Sequence, residues 1–226
     1  MNRRTLEKII SVLFATATAA LWVTITIFDF AFSRDTTVIK YVGILLCFLY
    51  SVYAFIKGAQ KSAFVVFALL FTLIADYFLL VKNADYLAGV SAFCVAQAAY
   101  FLRIYYEKGK FPLVSVCAHS VCFCSLSVAL LIFGLAEPLT IAVCFYACML
   151  VANAVESFSL VPKNKKFVAF AVGLCLLACC DVCVGIYNLG SFVGDVVPPF
   201  VAEKFVLLSW VFYLPSQALI SLSADA

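Results

Sequence analysis

The sequence predicts an all-α fold: one polytopic membrane helix bundle of eight transmembrane helices, with both termini in the cytoplasm. Three observations predict it. The 226 residues are 66% apolar and only 12% charged, with a mean hydropathy of +1.14, whereas soluble chains carry about 25% charged residues. Eight apolar runs approach or exceed the roughly 20 residues that a helix needs to cross about 30 Å of hydrocarbon. The lysines and arginines, finally, divide unevenly between alternate connections. The same composition excludes a disordered chain, which would be rich in charge and poor in aromatics. A net charge of +3 without a basic, aromatic-studded face excludes a nucleic-acid partner.

The spans follow in order. Ile9–Phe32 comes after the basic segment Met1–Lys8, and its apolar run continues past Ala15-Thr16-Ala17, so an uncleaved anchor is expected rather than a removed signal. Lys40–Ile56 and Phe64–Val81 are separated by a short stretch holding Lys57 and Lys61. Leu87–Tyr106 lies between Lys82 and Lys108. Pro112–Phe133 and Leu139–Phe158 begin at or beside a proline, which the first turn of a helix tolerates. Val168–Tyr187 follows Pro162 and Lys163–Lys166, and Val201–Leu222 follows Pro198-Pro199. Pro215 alone falls inside a span, where a kink is expected. No strand-like alternation is present, and the runs are apolar on nearly all sides.

Assigning the bases to alternate sides gives eleven on the side of the N-terminus: Arg3, Arg4, Lys8, Lys57, Lys61, Arg103, Lys108, Lys110, Lys163, Lys165 and Lys166. The other side receives four, Arg34, Lys40, Lys82 and Lys204. The positive-inside rule then orients both termini toward the cytoplasm, and an odd number of helices would spoil the separation.

The eleven cysteines lie within the spans rather than in loops, which suits packing by small polarizable residues better than disulfides. Cys175, Cys179 and Cys183 recur at helical spacing, but without the short paired motifs of a zinc site, so no metal is expected. His119 is the only histidine, too few for a membrane zinc hydrolase, and reads as a locally hydrogen-bonded helix residue.

An ionisable residue inside a span is costly and by default marks function. Asp29 lies near the outer end of the first helix, within reach of headgroups, and Glu156 near the cytoplasmic end of the sixth, where it can snorkel or pair with Lys163. Asp76 and Asp181 are different. Counted along the third and seventh helices, both lie about 18–20 Å from the cytoplasmic end at 1.5 Å per residue. No basic residue lies at that depth, so neighbouring helices would make of them one site in which one carboxyl stays neutral. Further polar groups share faces on inward-running helices. Gly89, Phe93, Gln97 and Tyr100 form one stripe of the fourth, and Tyr146 and Asn153 lie seven apart on the sixth. Ser209, Tyr213, Ser216 and Gln217 share a face of the eighth beside Pro215. Together they suggest a polar pocket around the aspartates.

These residues carry a resemblance. Asp76-Tyr77-Phe78-Leu79 resembles the Asp-x-x-Leu of the YhhN-like membrane proteins, which include the lysoplasmalogenases. Gly89…Phe93…Gln97…Tyr100 resembles their Gly-x3-Phe-x3-His/Gln-x2-Tyr stripe. Cys180-Asp181, after Gly173, is similar to their Ser-Asp, and Tyr213-x3-Gln217-x-Leu219-Ile220 to their terminal Tyr-x3-Gln-x-Leu-Ile. The match runs from the third helix onward and departs at Ala75, commonly Gly, and at Cys180, commonly Ser. The resemblance implies a hydrolase of the bacterial cytoplasmic membrane that takes a lysoplasmalogen from the bilayer. With water it cleaves the vinyl ether to a fatty aldehyde and a glycerophospho-base, with Asp76 and Asp181 catalytic. Gln97, Tyr100, Tyr146, Tyr213 and Gln217 would orient the substrate, and no cofactor is implied. A small proton- or cation-coupled transporter using the same carboxylates is the alternative.

Overall fold

The computed structural model describes residues 3–32, 35–58, 62–111, 113–165, 167–193 and 198–225, without the side chains of residues 3, 4, 189–193 and 225. Arg34, Lys61, Pro112 and Lys166 lie outside the described residues, as do the side chains of Arg3 and Arg4. Among the described residues, eight helices are long and apolar enough to cross a membrane. They are α1 (Arg3–Ile27), α2 (Thr37–Ile56), α3 (Ala63–Asp76), α4 (Tyr86–Lys108), α5 (Leu113–Ile132), α6 (Pro138–Phe158), α7 (Phe167–Val193) and α8 (Pro199–Leu222). The sequence boundaries hold to a few residues, except that α1 begins six residues earlier and α7 continues six further.

Two helices end in a π turn, Phe28–Phe32 after α1 and Tyr77–Val81 after α3. Such turns widen the backbone spiral and often occur at functional sites. The second begins directly after Asp76 and closes with Lys82 N–H donating to Tyr77 O at 2.8 Å.

Packing without water depends on close backbone approach and on hydroxyls that satisfy themselves. Gly89 allows the first: a Cβ there would stand 2.5 Å from Leu79 Cγ. The leucine of the Asp76–Leu79 segment therefore seats on the glycine that opens the α4 stripe. Gly173 does the same between α7 and α8, where a Cβ would lie 2.8 Å from Ile220 Cγ1 and 3.0 Å from the Ser216 carbonyl oxygen. Because the second obstacle is backbone, Gly173→Ala should push α7 off α8. We expect a loss of about 1–3 kcal/mol of stability, read as a lower melting temperature in detergent; an unchanged melting curve would refute the contact. Buried Ser51, Ser157, Ser209, Ser216, Ser221 and Ser223 each donate to a carbonyl three or four residues back on their own helix.

Pro215 sits inside α8 and supplies no amide to Val211 O, and Trp22 Nε1 of α1 donates to that carbonyl at 3.1 Å. α8 thereby packs against α7, α2 and α1, while α4 packs against α3 and α6. α5 leans chiefly on α6, and none of its described residues is buried.

Charge partners agree with the two-sided partition. Lys57 pairs with Glu7, Lys108 with Glu156, and Lys163 donates to the carbonyls of Glu107 and Lys108, all at the side assigned eleven bases. Lys40–Asp29 and Lys82–Asp85 join residues assigned to the other. Three expectations are corrected. Asp29 is not presented to headgroups: it is 5% exposed, 2.7 Å from Lys40 Nζ, and accepts Thr36 Oγ1 at 2.6 Å. Glu156 pairs with Lys108 instead of Lys163. His119 Nδ1 has no hydrogen-bond partner, because its ring turns edge-on to Phe145 on α6, at 5.6 Å between centroids.

Candidate functional site

Asp76 is the last residue of α3, where the π turn begins, and is buried at 5% exposure. The Tyr213 hydroxyl, from α8, lies 2.9 Å from Asp76 Oδ1 and 2.8 Å from Oδ2, so one phenol serves both oxygens. Trp210, one turn earlier on α8, stacks edge-on against Tyr213 at 5.0 Å and carries Lys40 Nζ over its own ring at 4.9 Å. The Tyr213 ring is therefore packed by Trp210 while its hydroxyl meets Asp76.

Asp181, on α7, lies beside Tyr146 of α6, within electrostatic reach of its phenol, and the Tyr146 ring packs on Phe93 of α4 at 5.6 Å. The two aspartate–tyrosine pairs converge. The Cys180 thiol lies within electrostatic reach of both carboxyls and both phenols, and the phenols lie within reach of each other. α3 and α8 thus supply one aspartate–tyrosine pair and α7 and α6 the other, with Cys180 of α7 within electrostatic reach of both.

The other expected residues lie on α4 and α8. Asn153 Nδ2 donates to Gln97 O and to Gln97 Oε1, both at 2.9 Å, which fixes the Gln97 amide and leaves its Nε2 without a partner. Tyr100 packs edge-on to Phe170 at 5.6 Å; its buried hydroxyl is unpartnered, since the neighbouring Thr72 hydroxyl donates to Ala68 O. Gln217 Nε2 lies 3.4 Å from Ser216 Oγ, and its Oε1 is unpartnered. Asp181 Oδ2 is unpartnered as well. Four of the seven expected site residues therefore each hold a buried polar atom with no protein partner. In a bundle whose buried serines bond their own backbone, such atoms are costly unless water or a ligand meets them.

Two contributors carry no signal in the motifs. Trp210 props Tyr213, and only its i, i+3 spacing from Tyr213 hints at this. Tyr41 of α2 lies near Asp76 and reaches Leu73 O at 3.5 Å, and nothing in the local sequence points to it.

The family model described as the YhhN family matches residues 35–224, which takes in α2 through α8 and every residue of the cluster. The chain belongs to the YhhN family. No curated protein and no solved structure matches it. In this YhhN protein the motif residues have physical partners. Leu79 seats on Gly89, Gly173 receives Ile220, and Tyr213 holds Asp76. Cys180, where the resemblance implies serine, lies within electrostatic reach of both carboxyls, so the departure bears on their surroundings.

Proposed function

We propose that this YhhN protein is a lysoplasmalogenase-like hydrolase of the cytoplasmic membrane, with both termini on the cytoplasmic side. The observation that carries the reading is the pair of buried carboxyls inside the bundle, Asp76 held by the Tyr213 phenol and Asp181 beside that of Tyr146, together with four expected residues that each keep an unanswered buried polar atom, Asp181 Oδ2 among them. Vinyl ether hydrolysis needs this kind of arrangement. A proton goes to the vinyl carbon beyond the ether-bearing one, the resulting oxocarbenium ion is captured by water, and the hemiacetal collapses to aldehyde and alcohol. A neutral carboxylic acid gives the proton and a carboxylate steadies the cation and takes a proton from water, a division of labour like that of glycosidase carboxyl pairs.

Hydrogen bonding suggests which carboxyl does which. Both oxygens of Asp76 face one donor, Tyr213, which suits a carboxylate. Asp181 keeps Oδ2 free, the atom from which a proton can leave toward substrate. Gln97 Nε2 is a donor for the ether oxygen, while Gln217 Oε1 is an acceptor for the water. The purified protein should release fatty aldehyde from a lysoplasmalogen and leave the matching acyl lysolipid, which has no vinyl ether, intact. Absence of aldehyde in an active-lipid background would overturn the reading.

A proton-coupled transporter is the second reading. The π turn directly after Asp76 and Pro215 beside Tyr213 favour it, because interrupted helices at a carboxylate are a transporter habit. Proton-driven uptake into vesicles, with no aldehyde formed, would select it.

A further inference from the structure

A cleft of about 240 Å³ opens between α4, α5 and α6, and the reaction above makes no use of it. Phe101, Phe111, Phe145 and Met149 form its walls, and His119 and Asn153 are polar points within it. Asn153 is committed to Gln97, and Glu156 at one end of the cleft to Lys108. His119 is committed to nothing: its Nδ1 is buried and unpartnered. The cleft is thus largely apolar, with the Ser115 hydroxyl and the buried, unpartnered His119 Nδ1 as its remaining polar groups.

Its surroundings say what fills it. The outer wall is α5, a helix long and apolar enough to cross a membrane of which no described residue is buried, so it is the wall nearest the bilayer hydrocarbon. The inner wall is α6, where Phe145 of the cleft precedes Tyr146 of the Asp181 pair, and Asn153 of the cleft orients Gln97 of the site. A cavity that is mostly apolar, with few convergent polar groups, is the usual form of a small-ligand site.

We propose that this cleft binds a single long alkyl chain bearing one hydrogen-bonding oxygen, with the chain against the phenylalanines and the oxygen at His119 Nδ1. The choice of ligand rests on the hydrolase reading, in which both the lysolipid and the released fatty aldehyde have this chemistry. The cleft then stores or passes the chain alongside the reacting carboxyls.

A diazirine-bearing long-chain fatty alcohol, irradiated with the full-length protein in lipid nanodiscs, tests it. Labelled peptides should concentrate on the cleft segments around Val116–His119 and Phe145–Met149. Unlabelled fatty alcohol should compete, and an alkane of equal length should compete less. His119→Phe, which keeps the wall apolar, should weaken labelling about fivefold, the weight of one net hydrogen bond, and Ala152→Phe should block the cleft. Labels spread evenly over the lipid-facing surfaces, or equal competition by the alkane on the unaltered protein, would overturn the proposal. A diazirine lysolipid in the same experiment separates the sources: labelling by it assigns the cleft to the substrate chain, and labelling by the alcohol alone assigns it to the product. The two readings fail separately. Cleft labelling that persists in Asp181→Asn stands without hydrolysis, and a hydrolysing protein unlabelled in the cleft loses only the cleft.

Discussion

Asp76→Asn and Asp181→Asn are each expected to lower aldehyde release by about 10²–10⁴-fold, the usual share of a positioned general acid or base. The amide keeps the shape of the carboxyl and can still meet the phenols of Tyr213 and Tyr146. The bundle should therefore fold, and the melting temperature and elution volume should match the parent protein. Asp181→Asn removes the proton that the vinyl carbon must receive, while Asp76→Asn removes the negative charge opposite the cation. Tyr213→Phe takes away the one group that touches both Asp76 oxygens, and should cost less than Asp76→Asn because the carboxyl remains. Turnover unchanged in both asparagine variants would rule out the carboxyl mechanism. A loss in only one would leave a single-acid reaction in its place.

Arg103→Met should be the most destabilising substitution outside the cluster. Arg103 is 2% exposed, donates through Nη1 to Ser223 Oγ at 2.7 Å and through Nη2 to the Ser223 carbonyl, and lies 4.4 Å over the Phe170 ring. One guanidinium thus caps the end of α8 and ties it to α4 and α7. Methionine fills much of the volume but leaves the Ser223 carbonyl and hydroxyl without their donor, and each lost hydrogen bond to a charged group costs about 1.5–3 kcal/mol. Arg103→Lys should rescue little, since an ammonium lacks the planar fork that bonds Ser223 while stacking on Phe170. Thermal unfolding in detergent, followed by aldehyde release on the surviving protein, measures both. A melting temperature within a degree or two of the parent would show that the end of α8 is held by other contacts.

What the sequence made legible follows from what crossing a bilayer demands. Spans are readable because each must be about 20 apolar residues long, and the depth match of Asp76 and Asp181 follows from counting along helices. The tyrosines and glutamines around them were readable as face-sharing sets, but which phenol meets which carboxyl depends on helix neighbours far apart in the chain. Tyr213 is 137 residues from Asp76, and no local spacing predicts their contact. Arg103 was legible only as a topology-setting charge; its burial depends on Phe167 and Phe170 arriving from α7. Asp29 misled for a similar reason. Position near a span end suggested headgroup access, whereas the π turn and Lys40 of the next helix draw it inward.

The bond from Trp22 to the carbonyl above Pro215 joins residues 189 positions apart. During synthesis α1 leaves the ribosome long before α8 exists, and chains assemble from the N-terminal end as they emerge. Until α8 inserts, the Trp22 indole has no Val211 to meet, and the strand of helices remains an open chain in the lipid. The docking of α8 against α1 is thus a late event in biogenesis. A pause or truncation before α8 would leave Asp76 without its phenol, so the Asp76–Tyr213 contact forms only when the eighth helix arrives.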